Sequence, residues 1–584
     1  MTQPSPRDYT RYAFYVSALV IVFLVCVSFV PGFHVGSLTI KRANILSDVV
    51  TFREDMQSLL SSEDLLDTSF VEEFDAANGA VQEEPAAAEA VPVADTVAVQ
   101  PTDPNLLTVP VIADTTIVQI EDFSPDEQML ARFYHALAYE TGSRPVRIAV
   151  LGDSFIEADI ITADLREQLQ VAYGGRGVGF VPFSTPLSKY RGTVSHTHEG
   201  WTDYNLIKRK SVPEAYKDRF FVSGMLSVPA DGAYTQYKGV QFRKRIEQSN
   251  TATLFFRNGG DTELTVTVND APARSYRLPA EDRVQCLPVE TVEDIASLRI
   301  DVAHPEEFIG YGVVMEDSVG VSVHNYSVRS NSGLALLGTD YETNRQMNDY
   351  LPYDMVILQY GLNAMSPDVM DYGYYGKQLV KIISYIQRCF PESAVVVMSV
   401  GDRSTMQNGT AVTMPAVHAM LQTQEAAARA CGVGFWNTYK AMGGDNSMPK
   451  FVERHWAAKD YTHIGYPGGK YIAEQFVRFL NAAVASVRQQ DAERQRIEEQ
   501  RARIEAERAA YDLSDVAIDE GREEDYGELW SVRPTGEAEA DTTAGRRPER
   551  GKAEQDTLAG EHSRRRGPED VRTAAEQPAD SVNM

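Results

Sequence analysis

The sequence predicts an α/β protein built on a doubly wound parallel sheet in three layers, with an inserted β-sandwich, an N-terminal transmembrane helix, and a disordered linker and tail. Three observations support this prediction. Apolar runs typical of buried strands alternate with helical runs in two regions of the chain. Between these regions, short strands separated by turns interrupt the alternation. A long apolar run lies near the N-terminus, ahead of an acidic segment.

The first element is the apolar run Tyr12–Val30, which we expect to be a membrane anchor. As a helix it would span roughly 28 Å, close to the hydrocarbon thickness of a bilayer. Arg7 and Arg11 precede the run, which favours an N-terminus on the inner side. A cleaved signal peptide is the alternative, but no small-x-small cleavage site follows the run. The rest of the chain is therefore expected in the periplasm, on a single-pass anchor in a bacterial inner membrane.

The acidic segment after the anchor is expected to be a disordered spacer. No lysine or arginine occurs between Arg53 and Arg132, whereas several carboxylates repel one another in a setting rich in Ala, Pro and Val. The chain of 584 residues carries 55 basic and 83 acidic residues, a net charge of −28. This balance argues against nucleic acid as a partner.

The first α/β region is predicted to contain a helix, a strand, a turn and a second helix, in that order. A Ser-Pro-Asp-Glu run is a favourable helix start and predicts a helix over Pro125–Tyr139. Ile148–Leu151 predict a buried strand, a Gly-Asp-Ser turn follows it, and Ile156–Val171 carry apolar residues at helical spacing. Ser154 is therefore predicted at a helix N-terminus, among free backbone N–H groups. A turn that merely caps the helix is the alternative reading.

Two further polar motifs lie near element ends later in the chain. Met355–Asn363 is an apolar strand that ends in Gly-x-Asn, where the amide of Asn363 suits a developing oxyanion. Asp460 and His463 lie three residues apart in a loop before the helical stretch Gly468–Val484. A serine hydroxyl becomes an effective nucleophile when an imidazole takes its proton and a carboxylate orients that imidazole.

The order Ser154, Asn363, Asp460-x-x-His463 resembles the SGNH (GDSL-type) hydrolases over roughly residues 145–485. The resemblance implies that Ser154 is the nucleophile, His463 the general base and acid, and Asp460 the partner that orients the imidazole. It also implies that Asn363 and the backbone N–H of the serine donate to the oxyanion. No cofactor is expected.

The resemblance leaves one oxyanion donor open. In the family a glycine on the loop after the second sheet strand supplies a backbone N–H, and the corresponding loop here contains both Ser330 and Gly333. Either backbone N–H would serve, so both residues are candidates for the oxyanion hole. The family's Gly-x-Asn-Asp motif is also altered, with Ala364 after the asparagine.

Residues 191–323 are expected to form a β-rich module inserted into the α/β domain. Its predicted strands are Thr253–Arg257, Glu263–Asn269 and Ser297–Val302. Similar insertions occur in periplasmic enzymes that resemble peptidoglycan O-acetylesterases, where the module frames a carbohydrate site. A structural insert that binds no ligand is the alternative.

Arg176 and Trp201 are the candidate substrate-binding residues. Arg176 lies in a glycine-rich loop and would contact an anionic group, although a structural role is the alternative. The indole face of Trp201 suits a sugar ring. His196 and His198 form a His-x-His pair without a third ligand nearby, so no metal site is predicted.

The second α/β region is completed by strands near Val395–Val400 and Val433–Trp436 and by helices near Lys377–Cys389 and Met414–Cys431. A charged, solvated helix and a polar tail should follow it. The inferred organisation is a cytoplasmic stub and anchor (1–35), an acidic spacer (36–120), a first hydrolase segment (121–190), the β-rich module (191–323), a second hydrolase segment (324–486), the charged helix (487–511) and a disordered tail (512–584).

Three functions fit these motifs. The first is a membrane-anchored serine esterase that removes O-acyl groups, most simply O-acetyl, from an acylated envelope polysaccharide or peptidoglycan. The second is an O-acyltransferase that hands the acyl group to a sugar hydroxyl of an exopolysaccharide, with a membrane acyltransferase as a partner. The third is a catalytically silent glycan-binding protein.

Overall fold

The computed structural model describes residues 33–35, 38–40 and 106–510. The predicted anchor Tyr12–Val30 and the predicted tail 512–584 lie outside these residues. No helix in the described ranges combines the length and the apolar character needed to cross a membrane.

Nineteen strands and nine α-helices are described. The strands, in chain order, are β1 (Phe33–Val35), β2 (Leu38–Ile40), β3 (Ile120–Asp122), β4 (Pro145–Gly152), β5 (Gly179–Val181), β6 (Ser195–Asn205), β7 (Met225–Lys238), β8 (Thr251–Asn258), β9 (Glu263–Val268), β10 (Arg274–Arg277), β11 (Glu281–Pro288), β12 (Ser297–Ala303), β13 (Phe308–Glu316), β14 (Gly320–Ser327), β15 (Met355–Gln359), β16 (Ala394–Met398), β17 (Ser404–Gln407), β18 (Thr410–Thr413) and β19 (Gly434–Trp436). The helices are α1 (Gln128–His135), α2 (Thr162–Tyr173), α3 (Glu214–Lys217), α4 (Tyr341–Tyr350), α5 (Gly373–Cys389), α6 (Pro415–Cys431), α7 (Thr438–Met442), α8 (Ser447–Glu453) and α9 (Tyr466–Ala510).

A six-stranded sheet with the order β14-β4-β15-β16-β19-β3 forms the centre of the α/β fold. Neighbouring strands from β14 to β19 are parallel, and β3 joins the edge in the antiparallel direction. Every residue of β15 and β16 is buried, which explains why these strands read as unbroken apolar runs in the sequence. The predicted parallel sheet is therefore confirmed.

Helices cover this sheet and close its core. Helices α5 and α6 pack against each other and against β16. Helix α9 packs on β19 through an edge-to-face contact between Phe476 and the fully buried Trp436. It also meets α1 through Phe479 and Tyr134. These contacts hold the start of α9, and therefore the loop before it, against the sheet.

A separate sheet of nine antiparallel strands occupies the interval where the sequence predicts the β-rich module. Seven of its strands have the order β10-β9-β12-β7-β13-β8-β11. In addition, β5 pairs with β13 and β6 pairs with β7. The three predicted strands in this interval correspond to β8, β9 and β12. Because hydrogen bonds join all nine strands into one sheet, the prediction of a β-sandwich is not confirmed. The sheet already begins at β5, before residue 191, and the chain returns to the parallel sheet at β14.

The helix predicted directly after Ser154 starts later than expected. A turn and a short 3₁₀ segment, Glu157–Asp159, separate the serine from α2. Ala158 and Asp159 have φ values of 56° and 66°, which a continuous α-helix does not allow. The buried carboxylate of Asp159 is held by Arg166 and Arg191, at 3.3 and 2.9 Å. These ion pairs hold the carboxylate in place at the break.

The helix predicted over Pro125–Tyr139 also differs from the observed one. Its α-helical section is α1, and a π-helical turn, Ala136–Glu140, continues it. Asp122 accepts hydrogen bonds from the backbone N–H and the hydroxyl of Ser124, at 2.9 and 2.7 Å. Ser124 is thus engaged upstream, and Glu127 precedes the helix in a left-handed conformation with φ 56°. Ser124 therefore does not cap the helix, and the predicted Ser-Pro-Asp-Glu start does not form.

Helix α9 merges two predicted helices into one of 45 residues. Its second half corresponds to the predicted charged helix. The last residues of the predicted spacer lie along this helix, because Ser486 accepts a hydrogen bond from the Val111 N–H at 2.8 Å and Gln490 donates to the Val109 carbonyl at 3.1 Å. This section of the predicted spacer, from residue 106 onward, is therefore docked on the fold.

Candidate active site

The candidate site lies where adjacent parallel strands end. Ser154 follows β4 by two residues, and Asn363 follows β15 by four. The two strands are neighbours, with Gly152 paired to Gln359. Carboxyl ends of parallel strands meet at one edge of a sheet, which is where ligands bind in open α/β folds. The sheet order thus brings together two polar residues that are about 200 positions apart in sequence.

The turn that carries Ser154 depends on two local features. A Cβ atom at Gly152 would lie 2.9 Å from the carbonyl oxygen of Gln359 and 2.8 Å from the side chain of Ile156. Only glycine therefore fits between β15 and the turn. Asp153 then reverses the chain, because its carboxylate accepts the backbone N–H of Phe155 at 2.9 Å.

Ser154, His463 and Asp460 form a continuous hydrogen-bonded relay. The Ser154 hydroxyl lies 3.2 Å from His463 Nε2, and His463 Nδ1 lies 2.8 Å from Asp460 Oδ2. An ionised carboxylate only accepts hydrogen bonds, so Nδ1 carries the proton and Nε2 is left as the acceptor for the hydroxyl. This is the tautomer that a general base requires.

The carboxylate of Asp460 is fixed by its own loop. Its Oδ1 atom accepts the backbone N–H groups of Thr462 and His463, at 2.9 and 3.0 Å. Burial opposes ionisation of Asp460, but the hydrogen bonds from the His463 ring and the backbone outweigh it and lower the pKa of this carboxyl. Asp460 therefore stays charged at neutral pH and holds the imidazole in place.

Asn363 is held by two acceptors. Its Nδ2 atom donates to Asp153 Oδ2 at 2.8 Å and to the Asn331 carbonyl at 3.1 Å. An amide nitrogen has two N–H groups, so both are engaged. Asn363 is therefore oriented in advance, and donation to an oxyanion requires that one of these hydrogen bonds be shared or released.

Asp153 is a fully buried carboxyl next to Ser154 in the sequence. Burial raises its pKa to about 7, with the charge of Glu157 adding to the effect, although the Phe155 N–H, His463 and Asn363 favour the ionised form. Asp153 thus titrates in the neutral range. Asp153 lies within the Gly-Asp-Ser motif but is not among the site residues that the sequence predicts.

The structure distinguishes the two candidates for the remaining oxyanion donor. The backbone N–H of Gly333 donates to Asn331 Oδ1 at 2.8 Å, and Gly333 is buried. Ser330 is exposed in the loop after β14 and has a φ of 63°. Within residues 106–510, the Ser330 N–H has no hydrogen-bond partner. The Gly333 N–H is therefore already engaged, whereas the Ser330 N–H is available as a donor in this part of the chain.

Arg176 lies at the opposite end of the sheet from Ser154. The neighbouring Gly174 carbonyl accepts the Val321 N–H at 2.9 Å, at the amino end of β14, which runs parallel to β4. Its guanidinium contacts the carboxylates of Asp294 and Asp317 at 2.6 and 2.8 Å. Arg176 therefore joins loops of the antiparallel sheet, and the structure does not bring it to the relay.

Trp201 is likewise engaged within the antiparallel sheet. Its ring stacks on Phe183 at 5.2 Å between centroids, and its indole N–H donates to the Tyr234 carbonyl at 2.9 Å. The ring packs against the core of this sheet. His196 is buried nearby, and burial lowers its pKa to about 3. Trp201 therefore has a packing role in this structure.

A cleft beside the Ser154 turn separates the parallel and antiparallel sheets. It measures about 840 Å³, including space open to solvent. Its walls include Glu157 and Arg329 from the loops after β4 and β14, which form an ion pair, together with His196 of β6 and Thr185 of the loop before β6. In the stretch of chain that the structure describes, no group of His, Cys, Asp and Glu side chains is arranged to hold a metal ion.

No family model matches the sequence, and the comparison with curated proteins found no match. Among solved structures, the chain is similar to a peptidoglycan O-acetylesterase, with a TM-score of 0.53 and 20% identity over 63% of this chain and 99% of that one. A family two carbohydrate esterase from Cellvibrio japonicus matches with a TM-score of 0.21 and 9% identity over 50% of this chain and 99% of that one. A salicylyl-acyltransferase from a tetracycline biosynthetic pathway matches with a TM-score of 0.24 and 14% identity, over 52% and 96%. On the first of these similarities, the chain shares the fold of that solved structure.

Proposed function

We propose that this protein is a serine esterase that removes O-acetyl groups from carbohydrate. The observation that carries the proposal is the hydrogen-bonded relay of Ser154, His463 and Asp460 at the carboxyl edge of the parallel sheet. The fold supports it, because a similar solved structure is that of a peptidoglycan O-acetylesterase.

In the proposed reaction, His463 Nε2 takes the proton of the Ser154 hydroxyl as Oγ attacks the ester carbonyl carbon. The C–O π electrons move to the carbonyl oxygen, and the resulting oxyanion is stabilised by Asn363 and by backbone N–H groups, including that of Ser330. Collapse of this intermediate expels the sugar oxygen, which receives the proton from His463. Water, deprotonated by His463, then hydrolyses the acyl-enzyme and releases acetate.

Asp460 supports this cycle through charge. When His463 takes the proton of the serine, it becomes an imidazolium, and the carboxylate 2.8 Å away stabilises this cation. The backbone hydrogen bonds to Asp460 hold its carboxylate in hydrogen-bonding position beside the His463 ring during the whole reaction.

We further propose that the esterase is anchored in a bacterial inner membrane and acts on periplasmic carbohydrate. This proposal is based on the sequence of Tyr12–Val30 and on the basic residues before it. Recovery of the full-length protein in the membrane fraction, and its release when residues 1–35 are deleted, would support the anchor. Recovery in the soluble fraction with its N-terminus cleaved would contradict it.

The direct test is turnover of p-nitrophenyl acetate by the full-length protein and by its Ser154→Ala variant. Loss of the nucleophile should reduce kcat by about 10⁴-fold or more, because the relay acts as a unit. Ser384→Ala, at an exposed serine of α5, is the matched control and should behave like the unmodified protein. Full activity in Ser154→Ala would refute the proposal.

A second measurement separates hydrolysis from the alternatives. Free acetate should be the main product when an oligosaccharide is added as an acceptor, whereas dominant acyl transfer would replace the esterase by an acyltransferase. A fluorophosphonate probe should label Ser154. Glycan binding without labelling or turnover would indicate a silent binding protein.

A further inference from the structure

Arg403 lies between the turn that carries Asn363 and the loop that carries Asp460 and His463. Its Nη1 atom donates to the carbonyls of Leu362 and Met365, at 3.2 and 3.3 Å, which lie on either side of Asn363. The next residue, Ser404, donates its backbone N–H to the carbonyl of Tyr461 at 3.1 Å. Tyr461 directly follows Asp460 in the sequence, so Arg403 bridges the asparagine turn and the aspartate-histidine loop.

Arg403 differs from other arginines near the site in its pairing. None of the ion pairs found among the described residues includes it, whereas Arg329 is paired with Glu157 and Arg191 with Asp159. Burial lowers the pKa of Arg403 and the charge of Asp460 opposes this effect, but an arginine remains a cation at neutral pH.

The guanidinium has donors left for a ligand. Of its five N–H groups, those on Nη1 bind the two carbonyls, and the groups on Nε and Nη2 have no partner among the residues that the structure describes. Arg403 is partly exposed, so these donors are not sealed in the core. Adjacent N–H groups of a guanidinium match the two oxygens of a carboxylate.

We propose that Arg403 binds a carboxylate of the substrate, so that the esterase acts on an O-acylated carbohydrate that carries a carboxyl group close to the ester. This inference rests on the proposed esterase function. The chain has a net charge of −28 and would repel acidic polymers at long range, so a cation between the Asn363 turn and the Asp460 loop selects such a substrate locally. The carboxylate has two chemical sources, a hexuronic acid or the lactyl ether of a muramic acid.

The test compares substrates that differ only in this charge. The full-length protein is given an O-acetylated hexuronate oligosaccharide and its carboxamide counterpart, and an O-acetylated muramic acid disaccharide and its carboxamide counterpart. Acetate release gives kcat/KM for each. We expect a preference of about tenfold or more for the charged member of one pair, and the pair that shows it identifies the source.

The variants assign that preference to Arg403. Because Arg403 also braces the turn of Asn363, its replacement affects the rate on every ester, and the ratio of charged to neutral substrate is the informative quantity. The ratio should fall to about one in Arg403→Gln and lie between these values in Arg403→Lys, because an ammonium keeps the charge but not the fork of donors. Arg429→Gln removes the same charge from the last turn of α6 and should keep the full ratio.

A ratio near one in the unmodified protein for both pairs would overturn the proposal, and so would a full ratio in Arg403→Gln. Turnover of p-nitrophenyl acetate without turnover of either acidic substrate would overturn it as well. In each case Ser154-dependent turnover of p-nitrophenyl acetate would leave the esterase function standing. If turnover of p-nitrophenyl acetate does not depend on Ser154, the proposed serine esterase function itself would be refuted.

Discussion

The buried carboxyl of Asp153 makes a testable contribution to the pH dependence of stability. Asp153 is 0% exposed, accepts hydrogen bonds from Phe155 and Asn363, and has a pKa of about 7 in place of the ordinary 3.8. Its titratable neighbours are His463 and Glu157, and the buried Tyr360 and Tyr375 also sense its charge. We expect Asp153→Asn to remove this titration.

The size of the stability change follows from the difference between the pKa of Asp153 in the native protein and its pKa in the unfolded chain. Between about pH 4 and pH 7 the native protein keeps a proton on Asp153 that the unfolded chain has released. The native state therefore binds more protons, and the free energy of unfolding falls as the pH rises through this window. A pKa difference of about 3 corresponds to about 4 kcal/mol in the free energy of unfolding. This stabilisation is fully present below pH 4 and lost above pH 7.

The assay is urea denaturation of the unmodified protein and of Asp153→Asn at several pH values from 4.5 to 8. The asparagine side chain has one oxygen that can accept a hydrogen bond from Phe155 or Asn363, and it places an NH₂ group against the other donor. This mismatch should lower the free energy of unfolding by about 1–3 kcal/mol at every pH. The advantage of the unmodified protein should therefore shrink by several kcal/mol as the pH rises. A difference between the two proteins that stays constant across this range would refute the reasoning.

Three further predictions concern the site and its surroundings. Asp159→Ala leaves Arg166 as an unpaired charge, and both side chains are 0% exposed, so the free energy of unfolding should fall by about 3–5 kcal/mol in urea denaturation. A loss below 1 kcal/mol would show that this ion pair is not needed. Asn363→Ala should lower kcat for p-nitrophenyl acetate by about 100-fold or more, because it removes an oxyanion donor. An unchanged kcat would exclude Asn363 from that role. Arg176→Gln breaks contacts with Asp294 and Asp317 at the far end of the sheet, so it should lower stability by about 1 kcal/mol while kcat/KM stays within about twofold. A large loss of turnover would restore Arg176 as a substrate-binding residue.

Local sequence patterns were sufficient to predict four strands of the parallel sheet, three strands of the antiparallel sheet and the positions of the polar motifs. The apolar run at Ile148–Leu151 lies within β4, and that at Met355–Asn363 contains β15. Such runs are recognisable because parallel strands are buried on both faces. The Asp-x-x-His spacing also forms the expected contact, since both residues belong to one loop.

Features that depend on distant partners were not predictable in this way. The break after Ser154 occurs where Asp159 is held by Arg166, from the helix that follows, and by Arg191, 32 positions further along the chain. Arg176 and Trp201 have residue types that suit ligands, but their partners in the folded chain are internal. Arg403 carried no sequence motif, and it became notable only because its described neighbours supply carbonyls and no paired carboxylate.

The sequence by itself determined the α/β class and the residue types of the relay, because apolar runs, turn residues and short spacings are local properties of the chain. Only the tertiary structure decided which groups meet: that Ser154 lies 3.2 Å from His463, that both N–H groups of Asn363 are engaged, and that the N–H of Gly333 is bound while that of Ser330 meets no acceptor in residues 106–510. The contacts of Ser154 with His463 and of Asn363 with Asp153 depend on strand order and register, which bring together atoms that are hundreds of residues apart.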